Sequence, residues 1–415
     1  MPVTEYLPRL LDPALLAGSR EHPAVMLVGP RGCGKTTSAR RLSGGVVQLD
    51  APAQAAAFIA DPDAALRAFP ERPLLLDEWQ EVPGVIAAIK RAVDVGAPAG
   101  SFILTGSVQA GISAETWPGT GRIIEFEMAP LTQRELLRRN GDTGLIARIL
   151  GGDLPRGPVP EAPDLTGYLD LAFRGGFPEP AVRLSEEGQG RWYRSFVDQL
   201  AARDVAAVLR RADHDRFRAY LEAYALNSAG VVEHATLYRH AGISRPTAEG
   251  YDAVLARLFL ATAVPAWSTN RLDRLVKMPK RFLNDTGLLA ACARITLRDA
   301  LSDGAVLGRV IESFVFAQLR PEVTALYPDA RLHHLRTGNG RQEIDFLIAF
   351  GGGRVVAIEV KSAAAVSRGD ARHLEWLRDK LGADFVAGVV FHTGPDAFAL
   401  GDRISALPIA FLWAV

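Results

Sequence analysis

The chain has 415 residues, with 47 lysines plus arginines balanced by 47 aspartates plus glutamates, and only two cysteines. At about 150 residues per domain this length predicts two to four domains, and the charge balance excludes a whole-molecule field that would hold the protein on nucleic acid or an anionic membrane. Cys33 and Cys292 exclude a disulfide framework and point to a reducing cytoplasm, residues 1–9 lack the apolar core of a signal peptide, and no apolar run nears the roughly 18 residues of a membrane span.

The first predicted strand, 24–28, runs into Gly29-Pro30-Arg31-Gly32-Cys33-Gly34-Lys35-Thr36, and a predicted helix follows over 37–42, opening on Thr37. This is the spacing of a loop that wraps phosphate. Gly29 and Gly34 let the backbone curl so that its N–H groups face phosphate oxygens, Lys35 reaches the β and γ phosphates, and the Thr36 hydroxyl can ligate Mg²⁺. The positive end of the helix points at the same anion. Asp50 ends the next strand, 46–49, where open α/β sheets place ligand contacts, and a helix-cap role suits it equally.

Leu74-Leu75-Leu76-Asp77-Glu78 is an apolar strand ending in two acids. Asp77 is placed to hold Mg²⁺ and Glu78 to polarise the attacking water, the alternative being two acids capping the next helix. The strand 101–104 leads to Thr105-Gly106-Ser107. Ser107 is read as a polar sensor of the γ phosphate, with Thr105 as second choice. Arg122, before the alternating strand 123–128, is an arginine-finger candidate acting in the same or a neighbouring subunit, or a surface arginine that begins a strand. Strands alternating with helices to about residue 130 imply a parallel sheet covered on both faces.

The runs GPRGCGKT, LLLDEWQ and ILTGS, followed by GRIIEFEMAPLTQREL, resemble the AAA-type ATP-binding domain of a large group of prokaryotic ATPases. The resemblance implies an α/β P-loop domain over 1–140, ATP and Mg²⁺ as ligands, and Gln80 as an active-site neighbour. Members of that group often carry Gln and Val where this chain has Gly32 and Cys33, and neither side chain is needed for the phosphate cradle.

Gly, Pro and Asp crowd residues 144–163, which predicts a linker or mobile loop inside a helical lid or linker region, 141–215. Gly175-Gly176-Phe177-Pro178-Glu179 and Arg203-Asp204-Val205 resemble further motifs of the same group, with no physical argument tying them to nucleotide. A helical pattern over 217–227, a short helix over 236–241, a turn at Gly242 and a third helix capped by Ser244 precede predicted strands 259–266 and 275–282. That layout resembles a winged helix, placed at 216–283. DNA contact would fall to Ser244, Arg245, Thr247 and Glu249 on the recognition helix and to Arg271 and Arg274 on the wing; packing without DNA is the alternative.

In the last region, 284–415, Asp345 sits on the strand 343–348 and Glu359 and Lys361 on one face of the next, 355–361. Two acids can share a divalent metal while a lysine orients or deprotonates metal-bound water, and Glu312, on a predicted helix over 309–320, can complete the site. The set resembles the PD-(D/E)XK nuclease superfamily. The wider match includes Pro279-Lys280 and Asp285-Thr286-Gly287. This implies an α/β nuclease-like domain with a second Mg²⁺ or Mn²⁺; a surface ion pair and a binding platform without catalysis are the alternatives. His333, His334 and His373 lack metal-ligand spacing and read as surface histidines. Trp376 and Leu377 read as the packing face of a helix over 371–381, and 385–391 and 409–414 as the final strands. The whole predicts a cytoplasmic ATPase controlling a nuclease-like module that acts on DNA, or else a nucleotide-dependent switch that only binds partners. A homo-oligomer follows if Arg122 acts in trans.

Overall fold

The computed structural model describes residues 6–107, 120–141, 143–154, 156–204, 213–268, 278–337 and 340–414. The chain forms two compact units, Met1–Pro130 with Arg257–Phe259, and Leu131–Ala256 with Leu260–Val415. Among the described residues no helix is long and apolar enough to cross a membrane.

In the first unit the strands are β1 (Ala24–Val28), β2 (Gly45–Gln48), β3 (Leu74–Asp77), β4 (Phe102–Gly106) and β5 (Ile124–Glu127). They pair in parallel in the order β2-β3-β4-β1-β5. A parallel sheet covered on both faces needs strands that are apolar throughout; β1, β3 and β4 are accordingly buried at every position. Met26, Leu74, Leu76 and Leu104 pack with Phe58 of the helix Pro52–Ala60 and with Ile86 and Ile89 of the helix Gly84–Asp94. β4 lies between β1 and β3, with Val28 opposite Gly106 and Leu76 opposite Leu104. The carboxyl ends of these three strands therefore finish side by side.

In the second unit the helices His214–Leu226, His234–His240 and Arg245–Arg257 are followed by an antiparallel hairpin, β7 (Ala261–Val264) with β8 (Lys280–Leu283). The predicted sequence of three helices and two strands is present, with β8 beginning later than expected. Arg271 and Arg274 lie outside the described residues, as does Val205. A seven-stranded mixed sheet contains β6 (Gly157–Pro158), β9 (Arg331–Arg336), β10 (Glu343–Ala349), β11 (Val355–Val360), β12 (Phe385–His392), β13 (Asp396–Gly401) and β14 (Ile404–Pro408), in the order β6-β13-β14-β12-β11-β10-β9.

Two expectations are corrected here. The segment 144–163 carries a helix, Leu145–Gly151, that buries Leu145, Ile146 and Ile149, and then β6, which pairs with β13 at the sheet edge. Glycine and proline mark chain breaks, yet three apolar side chains between the breaks suffice to dock a short helix. The run 409–414 is not a strand: β14 precedes it, and Phe411–Ala414 is a helical turn in which Ala414 N donates to Ala410 O at 2.8 Å. An apolar run without alternation carries no period that separates strand from buried helix.

Candidate functional site

The loop after β1 is shaped by its glycines. Gly29, Gly32 and Gly34 have φ of 152°, 81° and 106°, and a Cβ on Gly29 would collide with the carbonyl oxygen of Met128. Gly29→Ala therefore either pushes the loop off the segment after β5 or strains it by about 1–3 kcal/mol. The expected result is roughly tenfold or greater weakening of ATP binding in a fluorescent-analogue titration. Pro30 and Cys33 are buried, whereas Arg31, Gly32 and Thr37 are exposed. Cys33 Sγ donates to Met128 O at 3.5 Å. Lys35, also buried, folds back over its own loop, with Nζ donating to Gly29 O at 3.0 Å and Pro30 O at 2.9 Å.

Beside the loop, Thr36 Oγ1 donates to Asp77 Oδ1 at 2.8 Å, and the Thr105 hydroxyl donates to the same carboxylate oxygen. A residue 41 positions away is thus brought to Thr36 because β3 and the loop end at the same edge of the sheet. Glu78, the residue after β3, has φ 55°, a conformation that non-glycine residues seldom adopt and that recurs at functional sites. Its N–H donates to Thr105 Oγ1 at 3.3 Å. Its carboxylate accepts from Ser107 Oγ at 3.2 Å and from Gln80 Nε2. The two candidate sensors thus divide the carboxylates: Thr105 donates to Asp77 and Ser107 to Glu78. Hydroxyl and carboxylate oxygens are the ligands Mg²⁺ prefers, and the Thr36–Asp77 pair beside the glycine loop fits magnesium bound with a nucleoside phosphate.

Two further residues support the loop and carry no motif. Arg9 is buried, with Nη1 donating to Cys33 O at 2.8 Å and Nη2 to Ala129 O at 2.6 Å. Tyr6 OH donates to Asp12 Oδ1 at 2.8 Å and stands 2.9 Å from Ser38 Oγ. Nothing in the local sequence separates Arg9 from a surface arginine, because its partners lie 24 and 120 residues away. Arg9→Ala leaves those carbonyls without their charged donor and is expected to loosen the loop, seen as faster amide exchange across residues 29–36.

Arg122 is not brought to the loop within one chain. β5 runs parallel to β1 with Ile124 opposite Val25, so Arg122 stands at the amino end of the sheet, about 15–20 Å along the strand direction from Gly29. There it donates to Asp94 Oδ1 at 3.0 Å and Thr120 O at 3.2 Å. A finger acting in cis is excluded by this strand register.

The glycine motifs that carried no physical argument form a joint in the second unit. Asp285 is buried, caps the helix Thr286–Ala293 by accepting from Leu288 N at 2.8 Å, and accepts from Gly176 N at 2.6 Å. Leu131 N in turn donates to Gly176 O at 2.6 Å. Tyr193 lies so close to Gly175 and Gly287 that a Cβ on either would strike its ring or hydroxyl. Burial pushes the Asp285 carboxyl up and the Tyr193 phenol well up. On the helix Arg245–Arg257, Arg245 Nε donates to Glu249 Oε1 at 2.8 Å, and the Ser244 and Thr247 hydroxyls are 2.8 Å apart.

The polar residues predicted for the C-terminal centre do converge, and a lysine joins them. Glu312 projects from the helix Gly304–Leu326, Asp345 from β10, Glu359 from β11, and Lys361 follows β11. Lys280, the first residue of β8, is in contact with Glu312, and its Nζ donates to Asp345 Oδ1 at 2.9 Å. Asp345 Oδ2 accepts from Val360 N at 2.9 Å, and Lys361 Nζ donates to Glu359 Oε1 at 2.9 Å. Burial, then the charge of Asp345, pushes both the Glu312 and the Glu359 carboxyls up to about 8. Burial works against the charge on Lys280, but Asp345 and Glu312 outweigh it and hold the ammonium above its ordinary value. Among the described residues no group of three or more His, Cys, Asp or Glu is arranged to hold a metal ion. A divalent cation does not fit this centre with Lys280 in place, because its ammonium stands between Asp345 and Glu312.

The predicted surface histidines are partly corrected. His333 and His334 are buried in β9, where His334 Nε2 meets Met278 O at 3.1 Å and burial pulls its pKa down to about 4. His373 is half-buried, with Nδ1 2.6 Å from Glu343 O. Consecutive strand residues point to opposite faces, so the burial of both histidines shows that β9 is covered on both sides here.

Comparison with known proteins divides the chain into three. A family model for an AAA domain matches residues 21–137, and two domains of unknown function match 165–299 (DUF8612) and 307–412 (DUF4143). An uncharacterized protein of Mycobacterium tuberculosis and one of Mycobacterium bovis are each 26% identical to this chain over 394 residues, covering 93% of it and 80% of their own length. A solved Walker-type ATPase of Pyrococcus abyssi is 15% identical with a TM-score of 0.43, covering 68% of this chain and 94% of its own; that likeness is too slight to carry an argument. With a parallel α/β sheet, a glycine loop after β1 and paired acids at the end of β3, residues 21–137 resemble an AAA domain with a P-loop fold.

Proposed function

We propose that the protein is a Mg²⁺-dependent ATP hydrolase whose nucleotide state sets the condition of its C-terminal unit. The observation that carries this reading is the Thr36–Asp77 hydrogen bond of 2.8 Å with Glu78 as the next residue. Binding turns the Lys35 ammonium from the carbonyls of Gly29 and Pro30 to the β and γ phosphates, while the backbone of residues 29–34 and the Thr36 and Thr37 N–H groups face the phosphate oxygens. Magnesium, once bound, supplies charge neutralisation to the phosphates, and Thr36 and Asp77 would hold it. Glu78 accepts the proton of the attacking water, with Ser107 and Gln80 fixing its carboxylate. Phosphate release, present in the parent and lost in Glu78→Gln with binding retained, tests this reading; equal rates in the two proteins would overturn it.

Arg122 supplies its charge to a neighbouring subunit's nucleotide in this reading. Sedimentation with ATP and Mg²⁺ should show a larger species than the nucleotide-free protein. An unchanged monomer returns Arg122 to its pairing with Asp94.

For the C-terminal unit, a nuclease reading assigns metal to Glu312, Asp345 and Glu359 and water activation to Lys361, with DNA held by the three-helix and hairpin segment as a winged helix. The second reading, a partner-binding platform, is favoured by the pairing of Asp345 with Lys280 and of Arg245 with Glu249. Metal-dependent cleavage of any DNA or RNA form, lost in Lys361→Ala with ATP hydrolysis retained, would restore the nuclease reading.

A further inference from the structure

We infer that Lys280 is the resident cation of the C-terminal acidic centre, seated between Glu312 and Asp345 where a divalent metal would bridge them, and that the centre takes no metal while the lysine is in place. The inference does not depend on what the N-terminal unit does with nucleotide.

The argument begins from charge burial. Carboxylates withdrawn from water need compensating positive charge or they neutralise. Three acids come together here from a helix and two strands, and the positive charge beside them comes from two lysines of the chain itself. Lys280 is not a surface side chain that happens to lean inward. Its side chain is only 3% exposed, and its backbone is fixed by pairing with Val264 across the hairpin. The ring of Phe346 lies beneath the ammonium, 5.8 Å away.

The position of the ammonium then decides against metal. Mg²⁺ requires near-octahedral oxygen coordination at about 2.0–2.1 Å. Asp345 has one oxygen on Lys280 and the other on the Val360 amide. Glu359 has Oε1 on Lys361, leaving Oε2 as its one buried oxygen without a hydrogen-bond partner. A divalent ion and an ammonium cannot share the same carboxylate oxygens at bonding distance without strong repulsion. An ammonium holds the acids together as a metal would, but it offers no Lewis-acid site and no activated water. The acids are therefore held together without the metal-bound water that the nuclease reading requires.

Calorimetric titration of Mn²⁺ into the nucleotide-free full chain tests this, in an Asp77→Asn background that removes the acid beside the phosphate loop. No Mn²⁺ should bind at the C-terminal centre of this parent. Lys280→Ala and Lys280→Gln should each gain one Mn²⁺ per chain, lose it again on adding Asp345→Asn, and melt several degrees higher with Mn²⁺ than without it. The inference is overturned if the parent binds Mn²⁺ in a manner that Asp345→Asn abolishes, or if folded Lys280 variants gain nothing. Should Lys280→Ala fail to fold, the comparison of the parent with its Asp345→Asn form still decides, since it needs no change at Lys280.

Discussion

Phosphate release from ATP falls by about 10²-fold or more in Lys35→Ala, equivalent to about 2.7 kcal/mol or more of lost transition-state stabilisation. Lys35 is the one lysine inside the loop, and its ammonium is already held by two loop carbonyls within reach of any phosphate the loop cradles. Removing it subtracts affinity for the phosphates together with charge stabilisation as the γ-phosphoryl transfers, so both the midpoint of an ATP titration and the turnover rate should suffer. Glu78→Gln should behave differently. Its amide keeps the size of the carboxylate and can still meet Ser107 and Gln80, but it accepts no proton, so hydrolysis drops by about 10²–10⁴-fold with binding little changed. A Lys35→Ala protein that hydrolyses ATP at the parental rate would refute the assignment of the loop.

Asp285→Ala destabilises the second unit by about 2–4 kcal/mol, a large part of the 5–15 kcal/mol typical of a domain. The carboxylate accepts from the N–H groups of both Gly176 and Leu288. Truncation leaves two buried donors without partners, removes the cap of the helix Thr286–Ala293, and opens space beside Tyr193. Asp285→Asn should recover little of the loss, because its NH₂ would face a backbone donor where an acceptor is needed. Hydrogen exchange across 286–293, read alongside the urea transition, distinguishes this from a general loss of structure. Two units need not melt together, so the exchange data locate the change. Protection equal to the parent in both variants would show that the joint contributes nothing.

Where the chemistry resides in contiguous residues, it was legible early. Gly29 to Thr36 after an apolar strand, and Asp77-Glu78 after another, needed no structure to be found, since strand, turn and acid are adjacent in the chain. The divided roles of Thr105 and Ser107 were not legible, because they follow from β4 lying between β1 and β3. The roles of Arg9 and Lys280 are not legible for a similar reason. Their partners are 24 to 120 positions away for Arg9, and 65 for Asp345 from Lys280.

The amino-acid sequence by itself determined the glycine-rich turn, the acids that end β3, the alternation that puts Glu359 and Lys361 together, and the parallel character of the first sheet. Each depends on local backbone freedom or on a period that one segment carries alone. Only the tertiary structure decided that Arg122 pairs with Asp94, that Asp285 joins two glycine motifs, and that an ammonium stands among the C-terminal acids. Those outcomes depend on strand order and register, which are set by pairing and burial between distant segments rather than by any residue's neighbours in the chain.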